Sequence, residues 1–347
     1  MIIIMKESAS AKEIESVEKL LAEFGFQTHP IQGEKKTVIG AIGDKRLLSM
    51  NQILTMDGVE NVVPIMKPYK LASKELHKEP SVIEIGHGIT VGGKQLAVFA
   101  GPCAIESQEQ FTTVSKAVKA SGANILRGGA FKPRTSPYDF QGYGEKALRY
   151  LKRASEETGL LTVSEIMDAS DLPMMLDYID VLQIGARNVQ NFKLLQAVGR
   201  CSKPVILKRG LASTIREFLL AAEHIMYQGN SKVILCERGI RSFDSAFTRN
   251  VMDIASIPVI KKYSHLPIIV DPSHGTGQRY LIEPMAKAGL VVGADGVMIE
   301  VHNDPENALS DGKQSLSIPM FKDIMARINT FNNRLHYEKT CLSANVK

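Results

Sequence analysis

Eight short apolar segments, each followed by a stretch long enough to form a helix, constrain the fold of this 347-residue chain most. Valine, isoleucine and leucine dominate them, as expected for parallel strands that are buried on both faces. They lie at residues 96–100, 125–127, 160–163, 181–184, 205–207, 233–235, 268–270 and 297–299. Eight β/α units within about 240 residues predict a closed (β/α)8 TIM barrel. A doubly wound open sheet is the alternative, but no G-x-G-x-x-G motif follows the first strand.

The stretches between these segments are long enough for crossover helices, as a parallel barrel requires. We predict helices at residues 108–121, 144–158, 168–178, 191–198, 213–228, 244–256 and 280–288. Two apolar runs around Gly86 and Gly88 predict a β-hairpin at residues 82–94, ahead of the first barrel strand. The predicted barrel domain covers residues 71–347, including this hairpin and a C-terminal extension.

The first 70 residues show a different pattern, in which two helical stretches alternate with four short strands. Ser10 and Glu13 can form a capping box at the first helix, and Asp44 can cap the second. The strands are predicted at residues 2–5, 26–31, 37–42 and 59–65, and a linker at residues 67–70. The order β-α-β-β-α-β predicts a small ferredoxin-like domain over residues 1–70. It contains no cluster of acids, bases or thiols, so the sequence assigns it no catalytic role.

Charge and cysteine content exclude several classes of protein. The formal net charge is only +5, and no run of Lys and Arg is long enough to bind nucleic acid. No segment approaches the roughly 20 apolar residues that a membrane-spanning helix needs. Sparse cysteines at irregular spacing predict a reducing, cytoplasmic location; they are Cys103, Cys201, Cys236 and Cys341.

Charged side chains gather where the predicted barrel strands end, which is the edge that carries the active site in such barrels. Five of them are cations near the ends of strands 2, 4, 5 and 6: Arg127, Lys132, Arg187, Lys208 and Arg238. Converging cations repel one another unless an anion neutralises them, and Arg binds carboxylate and phosphate in a bidentate manner. The pattern predicts a ligand with both groups. A second phosphate suits the loop residues Arg134, Thr135 and Ser136.

Potential metal ligands occupy the remaining strand ends. Cys103, His274 and Glu300 lie on strands 1, 7 and 8, which adjoin when a barrel closes, and Asp311 follows in the last loop. This donor set suits Mn²⁺, Fe²⁺, Co²⁺ or Zn²⁺ better than Mg²⁺. His302 should point to the opposite side of its strand from Glu300, so we expect it outside the first coordination shell.

The motifs at the strand ends resemble those of 3-deoxy-D-arabino-heptulosonate 7-phosphate (DAHP) synthases, in the short form with an N-terminal ferredoxin-like domain. They are GPC at 101–103, KPRTS at 132–136, IGARN at 184–188, LKRG at 207–210, CERG at 236–239, DPSHGTG at 271–277 and IEVH at 299–302. The resemblance implies a metal-dependent condensation of phosphoenolpyruvate with erythrose 4-phosphate, the first step of the shikimate pathway.

Individual roles follow from the same resemblance. It implies one divalent ion, Mn²⁺ in first place, on Cys103, His274, Glu300 and Asp311. It places phosphoenolpyruvate on the five converging cations, and the aldose phosphate on residues 134–136. Catalytic roles are expected for Lys132, Cys103 and His274, with Lys132 as a general acid or base. A homotetramer and feedback inhibition by Tyr or Phe through residues 1–70 are also expected.

Three alternatives remain open from the sequence. The sister enzyme 3-deoxy-D-manno-octulosonate 8-phosphate synthase uses arabinose 5-phosphate, but its family usually has Ala-Asn where this chain has Lys132-Pro133. A Schiff-base aldolase would use Lys208 as its nucleophile. A non-catalytic sensor of a phosphorylated metabolite would need the cations but no metal ligands. The N-terminal domain itself could serve only packing or oligomerisation.

Overall fold

The computed structural model describes residues 1–33, 36–43, 48–63 and 68–344, and it divides into two compact units. The first unit comprises Met1–Glu79 with Tyr263–His265, and the second comprises Pro80–Lys262 with Leu266–Lys347. The predicted linker begins at Lys67, which lies outside the described residues. The predicted domain boundary at residue 70 stays a prediction.

The first unit has the predicted ferredoxin-like fold. Its elements are β1 (Ile2–Met5), α1 (Ala11–Glu23), β2 (Gln27–Gln32), β3 (Thr37–Ile42), α2 (Met50–Leu54) and β4 (Val59–Val63). The strands form one antiparallel sheet in the order β2-β3-β1-β4. Burial of apolar side chains from the sheet and both helices holds this unit together, including Ile3, Leu21, Ile39 and Ile53.

Capping residues set where both helices of this unit begin. The predicted capping box at α1 is present: Glu13 N donates to Ser10 Oγ at 3.3 Å, and Ser10 N donates to Glu13 Oε2 at 2.6 Å. Asp44, the predicted cap of the second helix, lies outside the described residues. Ser49 and Gln52 form the capping box of α2 instead, so the described part of this helix begins at Met50.

The second unit is the predicted barrel, preceded by the predicted hairpin of β5 (Ile83–Gly86) and β6 (Ile89–Val91). Its eight strands are β7 (Ala97–Gly101), β8 (Ile125–Arg127), β9 (Leu161–Ile166), β10 (Val181–Ile184), β11 (Val205–Lys208), β12 (Val233–Glu237), β13 (Ile268–Val270) and β14 (Gly296–His302). All are parallel to their neighbours, and β14 pairs with both β13 and β7, which closes the barrel. A two-residue strand, β15 (Leu316–Ser317), extends the pairing of β14.

All but one of the described helices of this unit cover the outside of the barrel. The helices are α3 (Gln108–Ala120), α4 (Glu145–Thr158), α5 (Leu172–Leu176), α6 (Phe192–Gly199), α7 (Ile215–Met226), α8 (Ser256–Tyr263), α9 (Pro272–Thr276), α10 (Arg279–Val291) and α11 (Ile318–Ala344). The exception is the short α9, which directly follows β13 at the C-terminal end of the barrel. Among the described residues, no helix combines the length and apolar character needed to cross a bilayer. The cytoplasmic location stays a prediction.

The helix predicted at residues 244–256 is wrong. The chain after β12 instead forms a long loop, and α8 begins only at Ser256. Tertiary contacts hold the loop: Ile240 pairs with Val251 in an isolated antiparallel bridge, and Glu237 accepts from Gly239 N at 2.7 Å. Arg209 joins this anchor because its guanidinium donates to Glu237 Oε2 at 2.9 Å.

The barrel interior is apolar at its N-terminal end and polar at its C-terminal end. Ile83, Ile85 and Val91 of the hairpin pack against inward-facing residues such as Phe99 and Leu161. These side chains are almost completely buried, so burial of apolar surface stabilises this end. At the opposite end, where the strands end, buried charged side chains such as Arg127, Lys208 and Glu300 replace the apolar ones.

Candidate active site

Four potential metal ligands meet at the seam where the barrel closes. Cys103 follows β7, His274 lies in α9 directly after β13, Glu300 belongs to β14, and Asp311 lies in the loop after β14. Because β14 lies between β13 and β7, these strand ends are neighbours. One ligand atom from each of the four residues lies within 4.8 Å of the others.

The distances within this cluster suit one shared ion. Cys103 Sγ lies 3.2 Å from Asp311 Oδ2, and His274 Nε2 lies 3.1 Å from Glu300 Oε1. His274 Nε2 and Asp311 Oδ2 are 4.0 Å apart. A thiolate, an imidazole and two carboxylates form a donor set for a borderline divalent ion. The structure thus brings together the four predicted ligands.

A buried carboxylate orients the imidazole of this cluster. Asp271 Oδ2 lies 2.7 Å from His274 Nδ1, and Asp271 Oδ1 accepts from the backbone N of His274 at 3.0 Å. Nε2 is therefore the ring nitrogen left to face Glu300, as in metal sites where a carboxylate fixes the tautomer. Burial alone would raise the pKa of Asp271, but the charges of His274 and Lys208 outweigh it and lower the pKa well below its usual value.

Burial and neighbouring charges also shift the pKa values of Cys103 and Asp311. Burial, reinforced by the charge of Glu300, raises the pKa of Cys103 to about 12. A thiol with that pKa keeps its proton at neutral pH unless a cation displaces it. Burial would likewise raise the pKa of Asp311, but the charges of His274 and Arg249 help to lower it.

The predicted anion-binding residues surround a cavity of about 520 Å³ that opens beside this cluster. His274 and Asp311 line it together with six predicted residues: Lys132, Arg134, Thr135, Arg187, Lys208 and Arg238. Ser136 is not among its lining residues, and its hydroxyl accepts from Tyr138 N at 3.2 Å. Arg127 lies behind the lining and contacts the metal cluster instead.

Two of the five converging cations are already neutralised by protein carboxylates. Arg127 Nη1 lies 2.9 Å from Glu300 Oε1, and Lys208 Nζ lies 2.6 Å from Asp271 Oδ2. All four groups are nearly or fully buried, so each pair avoids leaving an isolated charge in the interior. Arg127 and Lys208 therefore have protein carboxylates as partners in addition to any ligand anion, which the sequence did not predict.

Other cationic groups keep unused donors. Among the described side chains, Nη1 of Arg238, Nη2 of Arg134 and Nε of Arg127 are buried without a hydrogen-bond partner. Arg238 and Arg134 both line the cavity. Buried donors without partners are uncommon in folded proteins, and a ligand that the structure does not contain is one explanation for them. These two groups therefore have donors available for an anionic ligand.

Sequence reasoning missed several residues of this cavity. Arg241, Ser242, Ser245 and Arg249 reach it from the loop between β12 and α8. Arg249 Nη2 also donates to Asp311 Oδ1 at 3.0 Å, which connects this loop to the metal cluster. The only available signal was the density of Arg and Ser in residues 241–249, which a helix prediction obscured. Glu165, at the end of β9, adds one carboxylate to the lining.

Comparison with known proteins identifies the family of this chain. The model of the DAHP synthetase I family matches residues 74–334, and the model of the DAHP synthase ferredoxin-like domain matches residues 1–67. The chain belongs to the DAHP synthetase I family. A phospho-2-dehydro-3-deoxyheptonate aldolase from Thermotoga maritima is 47% identical over 335 residues, which cover 96% of this chain and 98% of the relative.

Solved structures of the DAHP synthetase I family extend the likeness to three dimensions. The crystal structure of the DAHP synthase from Thermotoga maritima covers 96% of this chain with a TM-score of 0.76 and 46% identity; the match spans 97% of that structure. A truncated form of the enzyme from the same organism covers 77% of this chain and 97% of its own, with a TM-score of 0.72 and 45% identity. A 2-dehydro-3-deoxyphosphooctonate aldolase from Desulfotalea psychrophila is 32% identical over 70% of this chain and 92% of its own length.

Proposed function

We propose that this chain condenses phosphoenolpyruvate with erythrose 4-phosphate to give DAHP and inorganic phosphate. The observation that carries the proposal is the shared cavity: His274 and Asp311 of the metal cluster line the same space as Arg238 and Arg134, whose unused donors suit anions. The likeness to the Thermotoga maritima aldolase over nearly the whole chain supports the same reaction.

The two substrates occupy different parts of the cavity in this proposal. Phosphoenolpyruvate binds near Arg238, Arg187 and Lys208, with Arg127 behind them, because its carboxylate and phosphate match several cations. The aldose phosphate binds near Arg134 and Thr135, with Ser136 shaping their loop. This arrangement directs the aldehyde of erythrose 4-phosphate toward Cys103 and His274.

The chemical step joins C3 of phosphoenolpyruvate to the aldehyde carbon of erythrose 4-phosphate. Water adds to C2, and phosphate then leaves by cleavage of its bond to C2. Cys103, His274, Glu300 and Asp311 would hold the divalent ion, which would supply Lewis-acid polarisation of the aldehyde. Lys132 delivers a proton to the aldehyde oxygen, because its Nζ lies 2.8 Å from Cys103 Sγ and therefore beside the metal cluster.

Replacement of Lys132 tests this assignment. We expect Lys132→Met to lower kcat by about 10²–10⁴-fold, the usual contribution of a general acid or base, while metal binding survives. Lys94→Met, at an exposed position outside the cavity, is the matched control. Near-normal turnover in Lys132→Met would remove the proposed role. Absence of turnover in the wild-type protein with both substrates would favour the sensor alternative.

The choice of sugar needs its own experiment, because relatives named 2-dehydro-3-deoxyphosphooctonate aldolase share 27–32% identity with this chain. We expect loss of the phosphoenolpyruvate enol absorbance with erythrose 4-phosphate and a much smaller rate with arabinose 5-phosphate. The reverse preference would assign the chain to the sister reaction.

A Schiff-base mechanism at Lys208 is disfavoured by its surroundings. Its ammonium group is 2.6 Å from Asp271 Oδ2 in a buried ion pair, and an amine must lose its proton before it attacks a carbonyl. Borohydride reduction in the presence of substrate should therefore leave Lys208 unlabelled. Covalent labelling of Lys208 by mass spectrometry would support the alternative.

We further propose Mn²⁺ as the ion held by Cys103, His274, Glu300 and Asp311, with Fe²⁺, Co²⁺ and Zn²⁺ as competitors. The mixed thiolate, imidazole and carboxylate donors support an ion of this class over Mg²⁺. Chelator treatment should abolish turnover, and readdition of each ion should rank them. Full activity after exhaustive chelation would overturn the metal assignment.

For the ferredoxin-like unit we propose an allosteric role in a homotetramer, with Tyr or Phe as inhibitor. The match of residues 1–67 to a domain model specific to DAHP synthases supports it. Deletion of residues 1–70 should abolish inhibition and retain turnover; a truncated Thermotoga maritima enzyme with a known structure makes this variant reasonable. Unchanged inhibition after deletion would place the effector in the barrel. Light scattering would report the oligomeric state.

A further inference from the structure

The loop after β14, residues 303–315, supplies two groups to the metal cluster. Asp311 contributes a ligand atom, and Gln314 Nε2 donates to Oε2 of Glu300, a second ligand. Asp311 has a φ of +54°, in the left-handed region that residues with a side chain rarely adopt. Such a conformation persists only where surrounding contacts hold it, so the loop needs external anchors.

Glu106 provides one anchor from the other side of the barrel seam. It lies three residues after Cys103, and its Oε1 accepts from the backbone N of Leu309 at 2.8 Å. Leu309 is two residues before Asp311, so this bond fixes the loop directly ahead of the ligand. Arg279 fixes the loop on the other side, because its Nη2 donates to Gly312 O at 2.6 Å.

His302 connects the same carboxylate to the start of the loop. Its Nδ1 accepts from Asp304 N at 3.0 Å, so the neutral ring carries its proton on Nε2. Nε2 lies 3.2 Å from Glu106 Oε1, close but not aligned as a full hydrogen bond. His302 is buried and is not one of the four clustered ligands. It lies two residues after Glu300 in β14 and therefore on the same face of the strand, so the prediction that it points to the opposite side is wrong.

We propose that Glu106 is a positioning residue that, with His302, holds the loop after β14 so that Asp311 reaches the metal. The inference rests on the proposed metal site. Glu106 does not belong to the ligand cluster and does not line the cavity, so it acts through Leu309 and Asp311. Loss of Glu106 should therefore weaken metal binding while leaving the substrate-binding cations in place.

The test is direct binding of Mn²⁺ to the metal-free, full-length protein by equilibrium dialysis. We expect Glu106→Ala to raise the Kd for Mn²⁺ about 10–100-fold, the usual range for residues that orient metal ligands. Glu106→Gln retains an oxygen that can accept from Leu309 N, so its Kd should rise less than that of Glu106→Ala. The KM for phosphoenolpyruvate at saturating Mn²⁺ should stay at the wild-type value in both. Glu109→Ala, an exposed carboxylate three residues away, is the matched control.

The outcomes separate the inference from the proposed function. A Kd in Glu106→Ala within twofold of wild type would overturn the positioning role while leaving the metal site intact. If Glu106→Ala does not fold, a Kd within twofold of wild type in the folded Glu106→Leu variant, which keeps bulk but has no acceptor for Leu309 N, would overturn it as well. Failure of the wild-type protein to bind one equivalent of Mn²⁺, or equal binding by Cys103→Ala, would overturn the metal site and the inference together.

Discussion

The two halves of the cavity differ in how their charges are satisfied. On the metal side, Cys103, His274, Glu300 and Asp311 contact one another, and Asp271 orients the imidazole. On the anion side, Arg238 and Arg134 keep buried donors without partners. The proposed metal side is therefore organised by contacts within the protein, whereas the proposed anion side keeps donors that the protein does not satisfy. Preorganised ligands give affinity for an ion, and unsatisfied donors give affinity for an anion.

The comparison also explains where the two halves join. Arg127 and Lys208 belong by sequence to the cations, yet each pairs with a carboxylate of the metal side, Glu300 or Asp271. Arg249 makes a third link through Asp311. Removing a ligand, a cation or a link should therefore have separable consequences, which the following variants measure.

Removing a metal ligand should have the largest effect. Cys103→Ala deletes one of the four proposed ligands. Changes to residues that only orient metal ligands lower affinity by up to about 100-fold, so we expect a larger fall in Mn²⁺ affinity here. Turnover should be lost as well. Equilibrium dialysis and steady-state kinetics would measure both. Cys201→Ala removes a thiol outside the cluster and serves as control. Normal activity in Cys103→Ala would contradict the assignment of this half of the cavity to metal binding.

Removing a cation with an unused donor should affect one substrate. Arg238→Met deletes charged hydrogen bonds worth about 1.5–3 kcal/mol each, so the KM for phosphoenolpyruvate should rise roughly 10–100-fold. Mn²⁺ affinity should stay near the wild-type value, because Arg238 donates only to the backbone O of His274 on the metal side. Initial rates at varied phosphoenolpyruvate provide the measurement. A large loss of metal affinity would contradict the division.

Removing the cation at the proposed site of the second phosphate should have a smaller effect, and it should change the KM for erythrose 4-phosphate. Arg134 is only partly buried, so Arg134→Met should raise the KM for erythrose 4-phosphate about tenfold and leave that for phosphoenolpyruvate unchanged. Arg153→Met, on the outer helix α4, is the control. If both KM values rose equally, Arg134 would not discriminate between the two substrates.

Removing the ion pair between Arg249 and Asp311, which links the two halves, should have the smallest effect. Arg249 and Asp311 form an ion pair whose side chains are 41% and 22% exposed, and such pairs contribute about 0–1 kcal/mol. Arg249→Met should therefore change Mn²⁺ affinity by less than about fivefold, and added salt should reduce the difference. A change as large as that of Cys103→Ala would make Arg249 part of the metal site.

The sequence predicted the barrel well because its strands are buried on both faces and therefore stand out as apolar runs. Every barrel strand contains at least part of its predicted segment, and Ile125–Arg127, Val181–Ile184 and Ile268–Val270 match it completely. The loop at residues 239–255 was misjudged because its structure depends on distant contacts. Glu237 and the bridge between Ile240 and Val251 hold it, and neither produces a local periodic signal.

The candidate site was predictable to the extent that closure of a barrel brings strand ends together. That rule alone groups Cys103, His274 and Glu300, and the structure places them together. It could not show that Arg127 and Lys208 already have carboxylate partners, since ion pairing depends on side-chain distances. Nor could it reveal Glu106, whose contact is to a backbone N–H 203 residues away.

The closing pair of strands has a consequence for how the protein is made. Cys103 and Asp311 are separated by 208 positions, and they meet only because β14 lies against β7. An ion bound by these four side chains would connect the first strand of the barrel, β7, to the last, β14. A nascent chain lacking β14 has no complete site. An ion that binds only the native state stabilises it by an amount that grows with the logarithm of the ion concentration. Metal binding would then occur only after the whole barrel has been synthesised and has closed.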